Sequence, residues 1–376
     1  MRNQLGSHIT IGKTVKAALL MCLMAVMIIT QAACSSEVQN GASGGTGSEP
    51  VTGENYYLDT ICNVSIYAMK DQDGNEVPAA DVKDSAEAAI DRAFDLCAEL
   101  DKKLSRTQEA SEVSKINEAG GEWVEAEQDT LDLIKAGLDY SDLSDGDFDI
   151  TIGGVTDLWD FHADPEDAEV PDANDVEEAV KHVDYKNVEI EGGKVRIKDP
   201  DARIDLGGIA KGYIGDRMTE VLEEDGVTSG IINLGGNVIC IGGKDNSKEG
   251  DEGSFVIGVE APYSDRTEIV GKVNARDMTL VTSGVYERQI EVDGKTYHHI
   301  LSTETGYSVE TDIDAVTLVG AKGQSKDLDA LSTICLIKGH DKAKELIENT
   351  PGVEAVFILS DGSTDQTSGM RFEPAQ

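Results

Sequence analysis

Residues 203–241 read RIDLGGIAKGYIGDRMTEVLEEDGVTSGIINLGGNVICI. A short strand carries Arg203-Ile204-Asp205, Gly207-Gly208 make a tight turn, and residues 209–224 form a helix. A strand-rich run over 227–241 follows, in which Ile232-Asn233-Leu234 leads into a second glycine turn at Gly235-Gly236-Asn237. Glycines where a helix starts let backbone groups approach a ligand closely, and the helix N-terminus favours anions. Further along the chain, β-branched and apolar residues predict strands at 255–259, 280–283 and 315–319, and helices at 325–337 and 342–348. Before this stretch, residues 57–67 read as a strand. Residues 84–104 bring Ala88, Phe94, Leu96, Leu100 and Leu104 round with roughly helical recurrence. A second helix over 130–143 is stopped by the turn Ser144-Asp145-Gly146-Asp147. Alternating residues at 188–190 and 195–197 flank Gly192-Gly193 as a hairpin. The acidic stretch 164–184 is expected to be a surface excursion. Strands arrive in runs and helices in separate blocks, which favours an α+β fold over a doubly wound sheet.

The N-terminus decides the compartment. Arg2, Lys13 and Lys16 precede an unbroken apolar run over 17–29, and Ala32-Ala33-Cys34 follows. A positive segment, a short apolar segment and small residues before a cysteine read as a secretory signal. An apolar stretch this short does not comfortably cross about 30 Å of hydrocarbon. With Ser35 and Ser36 after it, Cys34 resembles the lipidated cysteine of a bacterial lipoprotein, although Gln31 stands where such signals usually carry an aliphatic residue. The alternative is a plain signal peptide cut nearby. We therefore expect a signal peptide over residues 1–33, a Gly- and Ser-rich tether over 34–54, and a folded enzyme over 55–372. The expected location is the outer face of the bacterial cytoplasmic membrane, held by lipid on Cys34.

The chain carries 72 Asp+Glu and 32 Lys+Arg, and loss of Arg2, Lys13 and Lys16 with the signal leaves 29 basic residues and a charge of −43. Such a surface repels nucleic acid and anionic headgroups. An acidic protein that binds phosphate must supply local positive charge. Cys62, Cys97, Cys240 and Cys335 are scattered, without zinc spacing, and read as buried free thiols.

Five segments carry candidate chemistry. In the opening stretch, Lys211 in the first helical turn can add a full charge for phosphate, with a surface lysine after an ordinary glycine turn as the alternative; the pattern is neither a Walker loop nor the spaced-glycine dinucleotide fingerprint. On a helix, Asp329 and Thr333 share one face with Ser332 beside them, and carboxylate plus hydroxyls suit Mg²⁺ rather than zinc. A solvated or capping Asp329 is the alternative. His298 and His299 lie on a strand, so at most one serves a given site, and such a group can deprotonate a hydroxyl. Asp147 and Asp149 straddle Phe148 in a glycine-rich loop ahead of Leu158-Trp159, an arrangement able to grip a sugar or ring. The turn at Gly235-Gly236 stands by itself only as a turn.

Taken in order, these landmarks resemble the ApbE family, the FAD:protein FMN transferases. The matching segments are Leu58-Asp59-Thr60, Leu104-Ser105-Arg106, Ser111 through Asn117, Gly146-Asp147-Phe148-Asp149, Asp205 through Gly212, and Asn233 through Asn237. They continue with Thr282-Ser283-Gly284, His298-His299-Ile300, Thr305-Gly306 and Asp329-Ala330-Leu331-Ser332-Thr333. The resemblance implies mixed and antiparallel sheets with packed helices. It implies Mg²⁺-dependent transfer of the FMN half of FAD to a threonine or serine hydroxyl of a target membrane flavoprotein, with release of AMP. Carried over, the metal would be held by the Gly208 carbonyl, Asp329 and Thr333, with Ser332 nearby. FAD would lie against Leu58, Thr107, Asp147, Phe148, Asp149, Asp205, Lys211 and the backbone at Leu301. His299 would be the base, with Asp329 the second catalytic residue. Leu58 and Thr107 stand where many members carry a methionine and an aromatic residue, so the flavin ring needs another wall; Ser302-Thr303 replaces the more usual Asp-Pro. The rival readings are a FAD pyrophosphatase, with water as acceptor, and a non-catalytic flavin-binding lipoprotein.

Overall fold

The computed structural model describes residues 49–264 and 268–375. The expected signal peptide, Cys34 and the tether as far as Ser48 lie outside the described residues. Among those described, no helix is long and apolar enough to cross a membrane.

The helix and the two strands of the opening stretch are the middle of the molecule. The helix α6 (Ala210–Glu224) leads into β7 (Val227–Leu234), which returns through Gly235-Gly236 as β8 (Asn237–Ile241). Both glycines have positive φ, +62° and +107°, which a two-residue hairpin of this hand requires. Nine strands form the main sheet in the order β1-β2-β7-β8-β11-β14-β15-β16, with β3 also beside β2, and every pairing is antiparallel. The remaining members are β1 (Val51–Tyr57), β2 (Thr60–Lys70), β3 (Glu76–Pro78), β11 (Met278–Gly284), β14 (Ile313–Ala321), β15 (Glu354–Leu359) and β16 (Thr364–Gln366).

Period-two alternation divides this sheet between two cores. Ile239, Ile241, Val316, Leu318, Ala355 and Phe357 join the larger core, where the helices α1 (Lys83–Leu104), α6, α7 (Ser325–Lys338) and α8 (His340–Glu348) are packed. Cys240, Ala315, Val319, Val356 and Ile358 join a second core built with Phe255, Val259 and Val273. Those three come from a small sheet of β9 (Phe255–Glu260), β10 (Ile269–Ala275) and β17 (Glu373–Pro374). Each fully buried Ile, Leu or Phe contributes about 1.5–3 kcal/mol. Coverage on both faces explains why these strands read as nearly continuous apolar runs.

Two lesser sheets complete the fold. One is β4 (Val124–Glu125), β5 (Val188–Glu191) and β6 (Lys194–Ile197); the other is the hairpin of β12 (Gln289–Val292) and β13 (Lys295–His298). The other helices are α2 (Glu112–Asn117), α3 (Gln128–Leu143), α4 (Gly153–Thr156) and α5 (Ala173–Val180). The α+β expectation with antiparallel sheets holds.

Two expectations are corrected. The strand over 57–67 is broken at Leu58-Asp59, where both residues take φ of +56° and the chain reverses from β1 into β2. Aspartate tolerates this conformation, whereas leucine is strained in it. The tether ends earlier than residue 54, because Val51 already pairs with Ile66. Its glycine is structural: a Cβ on Gly53 would sit 2.5 Å from Ile90 of α1, so β1 can lie on that helix only without one. The segment 164–184 lies at the surface as expected and contains α5, whose buried Val176 packs on Gly306 where a side chain would collide.

Candidate active site

At one end of the main sheet the β1–β2 turn, the starts of α6 and α7, the loop at 144–161 and the segment after β11 surround a cleft of about 460 Å³. This lies in the range of about 300–1,000 Å³ that takes small molecules of nucleotide size. A second hollow, of about 530 Å³ beside β12, has Glu291 as its one charged lining residue.

Asp205 is placed by a chain of local effects. Ser111 caps α2 by accepting from the Ser114 amide at 2.8 Å. That sets Asn117 to bond both backbone groups of Ile204, donating Nδ2 to its carbonyl at 2.9 Å and accepting its amide at 2.7 Å. The Asp205 amide then donates to the Ile150 carbonyl at 2.7 Å. Its carboxylate accepts from the Gly207 amide at 2.8 Å and pairs with Arg106 Nε at 3.0 Å. Arg106 also pairs with Asp157, and Arg288 with Asp59 at 3.8 Å. Lys211 is the third cation of the cleft, and among the described residues its ammonium makes no hydrogen bond or ion pair. It is the group free to meet an anion.

Opposite Lys211, Asp329 projects from α7 with 3% exposure. Its Oδ2 accepts from the Gly212 amide at 2.9 Å. Burial pushes this carboxyl above the usual carboxylate range, opposed by the Lys211 charge, the Gly212 amide and the neighbouring Asn237. Thr333 follows one turn later and also lines the cleft, and a Cβ on Gly208 would lie 3.6 Å from Thr333 Oγ1. Gly208, the Asp329 carboxylate and the Thr333 hydroxyl therefore meet at one side of the cleft, and carboxylate and hydroxyl oxygens are donors of the kind Mg²⁺ takes. Asn237 is fully buried beside Asp329, yet neither amide atom meets hydrogen-bond geometry with a protein partner. Unsatisfied polar atoms next to such a set fit a site built for an ion. Ser332 is the exception among the expected ligands. It is fully buried, donates to the Asp329 carbonyl at 2.8 Å, lies 2.8 Å from Ser283 Oγ, and does not line the cleft. The i+3 position turns it into the core, so it steadies the helix rather than reaching a ligand.

The two histidines separate, although only His298 lies on β13 and His299 is in the bend that follows it. His298 Nε2 lies 3.1 Å from the Val309 carbonyl, away from the cleft lining. His299 lines the cleft, and its Nδ1 lies 3.2 Å from the Arg288 carbonyl. A carbonyl only accepts, so Nδ1 carries the proton and Nε2 keeps its lone pair for the cleft. Burial first, then the charge of Arg288, lowers this imidazole to about 3.

The loop expected to grip a ring divides its work. Phe148 lines the cleft, and Asp147 pairs with Lys338 of α7 at 2.7 Å. Asp149 uses both oxygens internally, on the Thr151 amide and hydroxyl (2.7 and 2.6 Å) and the Tyr185 amide (2.8 Å), so it fixes the loop. Leu58, Leu301 and the exposed Thr107 line the cleft as expected. Sequence reasoning missed Asp101, Arg106 as an orienting group, Glu287, and the wall formed by Trp159 and Phe161, whose rings stack 5.3 Å apart at 8°. A signal for Asp101 was present: it stands one turn after Cys97 on the apolar stripe of α1, where an unpaired charge has no packing reason.

Comparison with known proteins agrees with this geometry. Residues 58–357 match the model of the ApbE family. A FAD:protein FMN transferase of Treponema pallidum (strain Nichols) is 30% identical over 324 residues, covering 83% of this chain and 85% of that protein. The crystal structure of the ApbE protein of Thermotoga maritima superposes with a TM-score of 0.73 at 30% identity, covering 85% of this chain and 97% of that one. The apo flavinyl transferase ApbE of Pseudomonas stutzeri gives 0.69 at 26% identity, with 85% and 95% covered. A family match over most of the folded region, carried by the residues that converge on one cleft, shows that this chain belongs to the ApbE family.

Proposed function

We propose that this protein is a FAD:protein FMN transferase that uses Mg²⁺, acts on a threonine or serine hydroxyl of a membrane flavoprotein and releases AMP. It works outside the cytoplasm, tethered through Cys34. The observation that carries the reading is the convergence, in one cleft, of the unpaired Lys211, the Asp329 carboxylate and Thr333 hydroxyl beside Gly208, and the free Nε2 of His299.

The acceptor hydroxyl oxygen attacks the phosphorus of the FMN half. The bond from that phosphorus to the bridging oxygen breaks, and AMP leaves with the oxygen and its electron pair. The hydroxyl proton passes to His299 Nε2. Lys211 and the start of α6 face the charge that accumulates on the phosphoryl and departing oxygens. Gly208, Asp329 and Thr333 would hold Mg²⁺, which supplies positive charge that an acidic protein otherwise lacks. The test is mass spectrometry of a membrane flavoprotein subunit incubated with the protein, FAD and Mg²⁺, with FMN esterified to a hydroxyl residue as the expected product. Release of FMN and AMP at the same rate without that subunit would establish the pyrophosphatase instead.

The apolar end of the cleft suits the isoalloxazine. Phe161 is half-buried, is backed by Trp159, and offers its outer side to the cleft. Trp159 is itself fixed by donating Nε1 to the Gly306 carbonyl at 3.0 Å. An aromatic stack contributes about 0.5–1.5 kcal/mol beyond burial, so Phe161→Ala should raise the KM for FAD up to about tenfold while kcat holds. A fall in kcat with KM unchanged would place the flavin elsewhere.

A further inference from the structure

The helices that carry the site are joined by a feature that none of the chemistry above uses. Neither has a capping side chain of its own: the residue before α6 is Ile209 and that before α7 is Gln324, and neither side chain accepts an amide of the helix it precedes. Helix starts leave amides that need partners. Here each helix supplies the other. Asp329 of α7 accepts the Gly212 amide of α6 at 2.9 Å. Asp216 of α6, one turn beyond Gly212, accepts the first two amides of α7, Ser325 and Lys326, both at 3.0 Å through its two oxygens.

The contact between these bonds is backbone on backbone. A Cβ on Gly212 would overlap the Ser325 carbonyl, so only glycine lets the two helices come this close. At Gly215 a Cβ would meet Ile239 at 2.7 Å, which sets α6 against the sheet at the same level. Three amides and two carboxylates thus fix how α7 sits on α6. That placement is also the placement of Asp329 and Thr333 relative to Lys211 and Gly208.

We propose that Asp216 is a positioning residue of the transferase site: with Asp329 it forms a reciprocal clasp, two carboxylates exchanged between helix starts, that sets the oxygen donors of α7 against the start of α6. The metal-facing part rests on the function proposed above; the clasp itself does not. Asp216 touches neither the cleft nor the donor set, so its effect passes through the helix. Burial raises the Asp216 carboxyl to about 6, with Asp327 adding to the rise and the two amides and Lys326 opposing it. A carboxylate retained there against that cost is consistent with a demand for both acceptors.

The test is amide hydrogen exchange of the full chain carrying Asp216→Asn. A cap that served α7 alone would change protection only at Ser325 and Lys326. The clasp predicts that the Gly212 amide, which Asp216 does not touch, also exchanges about tenfold faster under native conditions. Unchanged protection at Gly212, with exchange at Ser325 and Lys326 accelerated, would overturn the proposal. Should Asp216→Asn not fold, Asp216→Ser keeps one acceptor oxygen at lower desolvation cost, and faster or unchanged exchange at Gly212 decides in the same way. The second measurement is calorimetric binding of Mn²⁺ without FAD, where loss of a supporting partner is expected to weaken affinity about tenfold. General destabilisation lowers Tm but leaves native-state affinity alone, so equal Mn²⁺ affinity in wild type and variant counts against positioning. A wild type that binds no Mn²⁺ would refute the metal assignment, and the Gly212 exchange would still decide the clasp.

Discussion

Alanine at Asp329 is expected to lower FMN transfer by about 10³-fold, because charge neutralisation at a pyrophosphate supplies several kcal/mol and each factor of ten needs about 1.4 kcal/mol. The residual rate should also lose most of its dependence on Mg²⁺, measured as FMN attached to the acceptor across a metal titration. The expectation follows from placement: Asp329 is the one fully ionisable member of the donor set, and it faces Lys211 across the cleft. The same burial that makes it a good ligand makes it a poor structural group. Its folded-state pKa is raised, so its favourable contribution belongs to the protonated form, is complete below the unfolded carboxylate pKa, and is lost as pH rises through the folded value. Above the folded value the ionised carboxylate therefore costs the metal-free protein stability. Asp329→Asn, which keeps an acceptor for Gly212, should raise its Tm while removing activity. Full FMN attachment by Asp329→Ala would sink the assignment, and a lower Tm for Asp329→Asn would show the charge to be compensated.

The parts of the fold legible in the sequence are those with local causes. Gly207-Gly208 and Gly235-Gly236 mark real turns, where a Cβ on Gly208 or Gly235 would collide with Phe148 or Thr60, and α1 and α3 follow their apolar recurrence. The strand at 354–359 is not legible in that way. Glu354–Leu359 is a nearly continuous apolar run, and periodicity does not separate a doubly buried strand from a buried helix. Its residues split between two cores only because a second small sheet covers the outer face. The turn at Leu58-Asp59 is hidden for the opposite reason, since nothing in a leucine announces a positive φ. The Leu58 amide, which reaches Asp101 at 3.5 Å, helps to hold that strain, and the turn delivers Leu58 to the cleft.

The site divides along the same line. Most of the expected residues reach the cleft because they sit in contiguous landmarks at turns and helix starts, where the backbone itself forms the site. Ser332 does not, since its place depends on which side of α7 faces Ser283, a fact of packing. Trp159 and Phe161 were invisible as a wall for a related reason. Their stacking depends on Gly306, far along the chain, whose carbonyl takes the indole proton.

Replacing His299 by glutamine is expected to lower transfer by about 10²–10⁴-fold, the usual contribution of a positioned base. The pH behaviour separates this role from a structural one. An imidazole lowered to about 3 is neutral at every pH where the protein would work, so its Nε2 is always open to a proton. It is also a weak base in the empty cleft. The negative charge of a bound pyrophosphate favours the protonated ring and opposes the Arg288 charge, so binding FAD should raise it. An acid limb in kcat, which reports the FAD complex, should therefore lie at higher pH than any acid limb in kcat/KM, which reports the free protein. Stability gives an independent reading. With the folded value below the unfolded one of about 6.5, the neutral histidine's contribution is complete above pH 6.5 and is lost as pH falls toward 3. Glutamine cannot titrate, so His299→Gln should flatten the fall of Tm between those limits. Acid limbs that coincide in kcat and kcat/KM and persist in the variant would mean that this ring is not the titrating base, which would then have to be sought among the other groups lining the cleft, Glu287 first.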